Sequence, residues 1–417
     1  MATALTNWAG NLTYSAATLH EPASLDELRS IVARAPKLRV LGSRHSFNDI
    51  ADGPELISLD RLDPWIEIDR DRRSVSVSPA IRYGDLAQAL EREGLALHNM
   101  ASLPHISVGG AVATATHGSG DANANLSTAV SGMELVTSDG DVVRVSRGDA
   151  DFPGMVVHLG ALGVVTRLTL DVQPSYLMRQ EIYEHLPWDA LLDRFDEVMS
   201  SADSVSIFTE YGEDAGSLWR KSRVDPDRPA PRLDAFLGAR AATQMLHPVP
   251  GLSAENCTAQ LGVPGPWADR LSHFRLDAVP ASGSELQAEY MVARRHAGAA
   301  LKVLREFVPP YRRHLWISEI RTVAADDLWL SSAYGTDTVC LHFSWKMEPD
   351  AVARILPLLE AALAPFDPRP HWAKLFVATA RDLEPRYERL PDFRRLAERL
   401  DARGAFRNAF LNRHVFA

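Results

Sequence analysis

Apolar positions recur along this chain in short runs, and most runs are closed by a glycine, a proline or a charged cluster. Leu25, Leu28, Ile31 and Val32 follow helical spacing. They stand behind Ser24-Leu25-Asp26-Glu27, which has the form of a capping box with Ser24 as N-cap and Glu27 at the third helical position. Lys37–Leu41, Leu56–Leu59, Ile66–Ile68 and Val75–Val77 predict short strands, and Asp85–Glu93 predicts a helix stopped by Gly94. Met133–Thr137 and Val142–Val145 flank Ser138-Asp139-Gly140-Asp141, a hairpin signal. Val164–Val172 predicts a further strand, ended by Pro174.

Beyond Pro174 the texture changes. Longer helical stretches are expected over Ala190–Ser200, Ala293–Phe307 and Ala351–Leu363. Strands are expected over Val205–Glu210, Leu286–Val292, Leu315–Val323 and Thr338–Lys346, and an exposed loop over Asp225–Pro231. No repeat or low-complexity tail is visible. The whole reads as α+β with a domain boundary near Pro174, and 417 residues suit two or three domains.

Composition narrows the function classes. The net charge of −10 argues against non-specific binding to nucleic acid or anionic membrane. Two cysteines, Cys257 and Cys340, exclude a disulfide scaffold and a cysteine-rich metal or iron–sulfur site, and no metal is expected. No apolar run approaches the ~20 residues that span a bilayer, and residues 1–8 lack the pattern of a signal peptide. A soluble, cytoplasmic, monomeric protein is expected.

Two stretches carry candidate chemistry for a cofactor. Leu41-Gly42-Ser43-Arg44-His45-Ser46-Phe47-Asn48 follows a predicted strand, and residues 107–120 are almost all small, with His117 among them. Small side chains let a flat or phosphate-bearing ligand lie against the main chain. Neither stretch is a G-x-G-x-x-G fingerprint or a Walker A loop. In the second half, alternation along Leu315–Val323 puts Glu319 and Arg321 on one face and Ile320 on the other. Along Thr338–Lys346 it puts His342 and Ser344 opposite Val339, Leu341, Phe343 and Trp345. Such faces form either a solvent-facing sheet with an ordinary Glu–Arg pair or a pocket for a ligand with several hydroxyls, to which Lys374 adds an ammonium.

The chain resembles the alditol oxidases of the vanillyl-alcohol oxidase flavoprotein superfamily from Asn7-Trp8-Ala9-Gly10-Asn11 to Phe406-Arg407-Asn408-Ala409-Phe410. The most specific segments are 42–48, 99–108, 116–120, His247-Pro248-Val249-Pro250-Gly251, 319–326 and Arg369-Pro370-His371-Trp372. The resemblance implies a two-subdomain FAD-binding domain over 1–173, a substrate (cap) domain with an antiparallel sheet over 174–375, and a segment 376–417 that completes the FAD domain. It implies FAD carried covalently on His45. Leu41, Gly42, Ser43, Arg44, Ser46, Phe47, Ser102, Ser107, Gly110, Thr114, Ala115, Thr116, His117, Val165 and Lys374 would contact the cofactor. Ser102, Glu319, Arg321, His342, Ser344 and Lys374 match the family's polyol-binding residues. His342, with an imidazole near its ordinary pKa, would be the general base, and Arg321, Lys374 and Glu319 would complete the catalytic set. The implied reaction oxidises the terminal alcohol of xylitol or sorbitol, with dioxygen reduced to hydrogen peroxide. Alternatives are an aldonolactone oxidase or dehydrogenase of the same superfamily, and a carbohydrate-binding flavoprotein without chemistry. The chain departs from the family at Arg44, where glycine is usual, at His98, where proline is usual, and at Ser344, where threonine is usual.

Overall fold

In the computed structural model, residues 5–225, 227, 231–278 and 285–416 are described. The loop expected over Asp225–Pro231 falls largely outside them. Strands β1 (Thr18–His20), β2 (Arg39–Leu41) and β3 (Glu55–Ser58) form a parallel sheet in the order β1-β3-β2. Helix α1 (Leu25–Arg34) covers it, burying Leu28 and Val32 with Leu38 and Ile57. Its capping differs slightly from expectation. Ser24 Oγ accepts from Glu27 N at 3.2 Å, but the Glu27 carboxylate accepts from Ala23 N rather than from Ser24 N.

The next unit is an antiparallel sheet of β4 (Ile66–Asp69), β5 (Ser74–Val77), β6 (Val130–Val136), β7 (Val142–Ser146) and β8 (Val164–Asp171), ordered β4-β5-β8-β6-β7. Helix α2 (Tyr83–Arg92) packs Leu86 and Leu90 into its core. Phe393, Leu396, Phe410 and Val415 enter the same core from the far end of the chain. The return is polar as well as apolar. The buried Arg39 guanidinium donates to Phe406 O at 2.8 Å, and Asn408 Nδ2 donates to the carbonyls of Asp49, Ile50 and Asp52.

The largest unit is a ten-stranded sheet. Its centre is β9 (Leu177–Glu184), β10 (Ser204–Thr209), β11 (Ser217–Val224), β12 (Glu285–Ala293), β13 (Leu315–Val323) and β14 (Thr338–Lys346). These run in the order β9-β11-β10-β13-β14-β12, with every neighbouring pair antiparallel. Helices α3 (Ala297–Phe307) and α4 (Pro349–Leu363) cover one face, where Leu286, Ala288, Tyr290, Ile320, Leu341 and Phe343 meet Leu301, Leu304, Ile355 and Leu359. The opposite face carries the polar positions.

Three expectations are corrected. The helix expected over Ala190–Ser200 is two short helices, Trp188–Asp193 and Phe195–Met199. Arg194 leaves helical geometry between them (φ −126°, ψ 31°), and both halves bury their apolar side chains in one core. The helix expected from Ala293 begins at Ala297, because Ala293 still belongs to β12 and Arg294 is committed to ion pairs with Asp121 and Asp196. Strands β9 and β11 were not foreseen. They bury Gln180, Glu181 and Lys221, which interrupts the alternation that marks a strand.

Candidate functional site

A cavity of about 850 Å³ runs between the two glycine-rich stretches and the polar face of β12–β14. Its size suits a ligand site.

At one end the stretches clasp each other. Ser107 N donates to Ser43 Oγ at 2.9 Å, and Ser43 N donates to Ser107 Oγ at 3.3 Å. A Cβ on Gly42 would stand 2.8 Å from Ser107 Oγ, so only glycine allows this approach. Arg44 is exposed and has φ 63°, in the left-handed region. The glycine usual there is therefore a backbone requirement that this chain meets with an arginine. His45 stacks on Trp8, with ring centroids 5.2 Å apart and planes 23° apart. Both of its ring nitrogens are buried without a hydrogen-bond partner among the described residues. Two imidazole nitrogens without a partner beside a backbone-lined channel fit a site that holds a cofactor.

At the other end the sheet register assembles a charge cluster. Glu319 on β13 lies opposite His342 on β14, which lies opposite Glu289 on β12. Glu289 accepts from Arg321 Nη2 at 2.7 Å and from Lys374 Nζ at 2.6 Å, and His117 Nε2 is 3.3 Å away. Glu319 contacts Arg321 Nε at 3.4 Å and His273 Nε2 at 3.2 Å. Two carboxylates thus balance two cations in a buried space, as desolvated charges require. The His273 backbone N–H also donates to Ser102 O at 3.1 Å, which ties the loop at 102 to the sheet. His117, Glu289 and His371 offer donor atoms within 4.8 Å of one another, but both Glu289 oxygens already hold cations.

Burial opposes the charge on Glu289, yet Lys374, Arg321 and His117 outweigh it and hold the carboxyl well below its usual range. Glu319 behaves likewise: Arg321 and His273 overcome its burial and hold it low. Burial pulls the Lys374 ammonium down against the attraction of Glu289. Burial, with Lys374 second, pushes His342 down to about 3, so its imidazole is far from the near-ordinary pKa expected from the sequence. Both His342 nitrogens are buried without a partner among the described residues. Burial first, then a neighbouring charge, also lowers His45 and His273, each to about 4.

These histidines give a sign to the pH dependence of stability. Unfolded imidazoles protonate near pH ~6.5, whereas the folded ones stay neutral down to about 4 or 3. Between pH ~6.5 and ~4 the unfolded chain binds more protons, so stability falls as pH falls, by up to about 1.4 kcal/mol per group and pH unit. The depressed carboxylates add their loss only below their unfolded pKa of about 4.3. The urea midpoint should drop between pH 7 and 5; a constant midpoint over that range contradicts the buried neutral state.

Every site residue expected from the sequence lines the cavity except Ala115. That residue has φ 52° and its methyl packs in the core of the five-stranded sheet. Ser102, Ser344 and Val165 line the cavity with the others. Sequence reading missed Glu289 and His273. Glu289 was within reach: Leu286, Ala288 and Tyr290 alternate with Gln287 and Glu289, so the strand pattern already marks a polar face. His273 sits outside any regular element and gives no such signal.

Known proteins resemble this chain along nearly its whole length. Residues 16–146 match the family model of the FAD binding domain, and residues 279–414 match that of D-arabinono-1,4-lactone oxidase. An alditol oxidase from a Streptomyces species is 49% identical over 419 residues, 99% of each chain. An L-gulono-1,4-lactone dehydrogenase from Mycobacterium tuberculosis is 30% identical, over 98% of each chain. Cholesterol oxidase from B. sterolicum shares the fold, with a TM-score of 0.77 over 99% of this chain and 96% of that one at 14% identity. No helix among the described residues is long and apolar enough to cross a membrane. The chain belongs to the alditol oxidase family, FAD-dependent oxidoreductases of the vanillyl-alcohol oxidase superfamily.

Proposed function

We propose that this protein oxidises the terminal primary alcohol of an acyclic polyol such as xylitol or sorbitol to the aldose, passing electrons to dioxygen and releasing hydrogen peroxide. The observation that carries the reading is the set of buried Arg321, His342 and Glu319, with half-buried Lys374, facing the cavity beyond His45. His45 and residues 41–47 and 107–117 would hold FAD, which would supply a two-electron acceptor for the hydride lost from the substrate carbon.

The remaining work falls to side chains. Arg321 and Lys374 put positive charge where the hydroxyl oxygen gains alkoxide character, and Glu289 fixes both cations by charged hydrogen bonds at 2.7 and 2.6 Å. His342 takes the hydroxyl proton: burial keeps its imidazole neutral beforehand, and the nearby Glu289 and Glu319 carboxylates favour the imidazolium once it forms. Glu319, oriented by His273, and Ser102 hold the adjoining hydroxyl, and Ser344 holds one further along. Fixing several hydroxyls aims the reacting C–H, which is where positioning contributes most.

The second reading is oxidation of an aldonolactone, favoured by the match of residues 279–414 to the arabinonolactone oxidase family. Peroxide release should be measured in air with xylitol, sorbitol and L-gulono-1,4-lactone. The polyols should exceed the lactone at least tenfold in kcat/KM. Preference for the lactone replaces the first reading with the second. Bound flavin that no compound in the panel reduces would leave a binding protein.

A further inference from the structure

Residues 7–12 fold into a closed strap across the back of the loop that carries His45. Asn7 N donates to Leu12 O at 3.0 Å, Leu12 N donates to Asn7 Oδ1 at 3.1 Å, and Gly10 takes φ 73° between them. Leu5, Leu12 and Tyr14 seat the strap on Leu41 and Leu56. Its polar groups reach the carbonyls on either side of His45. Trp8 N donates to Arg44 O at 2.8 Å, Asn7 Nδ2 to Ser46 O at 2.9 Å, and Asn11 Nδ2 to Phe47 O at 2.9 Å. The Trp8 indole then lies nearly parallel to the His45 ring and edge-on to Phe47. The inner side of the same loop has its own supports. Phe47 N donates to Ala373 O at 2.8 Å, and Asn48 Nδ2 donates to Trp372 O at 2.9 Å and to Lys374 O at 2.6 Å. Trp8 lines the cavity while Asn7 and Asn11 stand behind it, and none of the three enters the chemistry above.

We propose that Asn7, Trp8 and Asn11 are positioning residues for covalent flavin attachment, holding the His45 ring at the angle from which it bonds the cofactor. The inference rests on the tether reading and adds to it the residues that aim the histidine. Attachment joins one His45 ring nitrogen to a methyl carbon of the flavin ring. A C–N bond forms, and the methyl C–H and imidazole N–H bonds break. The methyl carbon is oxidised, and the two electrons and two protons released leave on dioxygen as hydrogen peroxide. Such a step needs the nitrogen lone pair aimed at one carbon. The outer torsion of a histidine side chain is broad, and no hydrogen bond among the described residues fixes either His45 nitrogen. Orientation is therefore left to the stacked indole and to the three bonds that pin the backbone around it. A misplacement of about 1 Å can slow a reaction about 10²-fold. The bonds to residues 372–374 do not involve the strap, so the FAD pocket should outlast its loss.

The test uses the full-length chain, produced under riboflavin starvation and then given FAD in air. Two quantities are read for each variant: the maximal rate at which flavin becomes acid-stable, and the FAD concentration that gives half that rate. Trp8→Leu and Asn7→Ala should each slow attachment about tenfold or more, with the half-saturating FAD concentration within about threefold of wild type. Trp8→Phe restores a stacking ring and should bring the rate back to within about threefold. Asn11→Ala removes one bond at the edge of the strap and should slow attachment about threefold. Wild-type rates in both Trp8→Leu and Asn7→Ala overturn the strap's role. Loss of FAD affinity in step with loss of attachment in Trp8→Leu, Asn7→Ala and Asn11→Ala overturns it too, since the strap would then only hold the pocket together. Wild-type protein that binds FAD and never makes it acid-stable is a different failure, and it sinks the tether itself.

Discussion

Arg321→Ala should lower kcat/KM for xylitol by about 10³ while flavin remains bound. The guanidinium is one of two cations available to a forming alkoxide, and removing a preorganised donor of this kind costs about 10²–10³ in turnover. A further loss follows from what remains. Glu289 keeps only Lys374 as a full countercharge, and Glu319 keeps only the neutral His273 as a close partner. Removing one partner of a buried ion pair costs about 3–5 kcal/mol. Lower thermal stability is therefore expected beside the kinetic defect. Burial alone would lower the pKa of Arg321, but Glu319 and Glu289 raise it above its usual value, so its charge persists at every workable pH. Arg321→Lys should recover part of the activity, since it restores charge without the two-pronged geometry. Turnover of Arg321→Ala within tenfold of wild type, with normal flavin content, would remove Arg321 from the proposed chemistry.

His45→Ala should abolish covalent attachment altogether. Acid-precipitated wild-type protein should keep its yellow colour in the pellet, and the variant should release all flavin to the supernatant. The expectation stands on geometry as well as on family. His45 stacks on Trp8 but leaves both ring nitrogens unengaged in a buried site, an arrangement that would cost stability without a ligand. A colourless wild-type pellet with free flavin above it refutes the tether.

Much of this was legible in the sequence where period and burial coincide. On β14 the core-facing Val339, Leu341, Phe343 and Trp345 are apolar and the cavity-facing His342 and Ser344 polar, and on β13 Glu319 and Arg321 lie opposite Ile320, so alternation alone assigned these four polar residues to shared faces. It failed on β9 and β11, where Gln180 and Lys221 are buried inside the protein and erase the contrast. Alternation also says nothing of which strands adjoin. The placing of Glu289 against Arg321 depends on β12 pairing with β14, and the two strands are separated by the helix α3 and by β13. The fall of the His342 pKa was hidden for the same reason, because it comes from burial and from Lys374, which lies beyond the sheet. His273 acts from an irregular segment, and only the assembled molecule reveals its hold on Glu319 and on the loop at Ser102.

The return of the chain at Phe406 and Asn408 bears on how the protein matures. The wall beside His45 leans on those residues through Arg39 and through the carbonyls of 49–52. A ribosome delivers them more than 350 residues after Arg39, since the bond from Arg39 to Phe406 spans 367 positions. The nascent nucleotide-binding half is thus unfinished until those residues have been made. Stable cofactor loading has to wait for Phe406 and Asn408 to arrive.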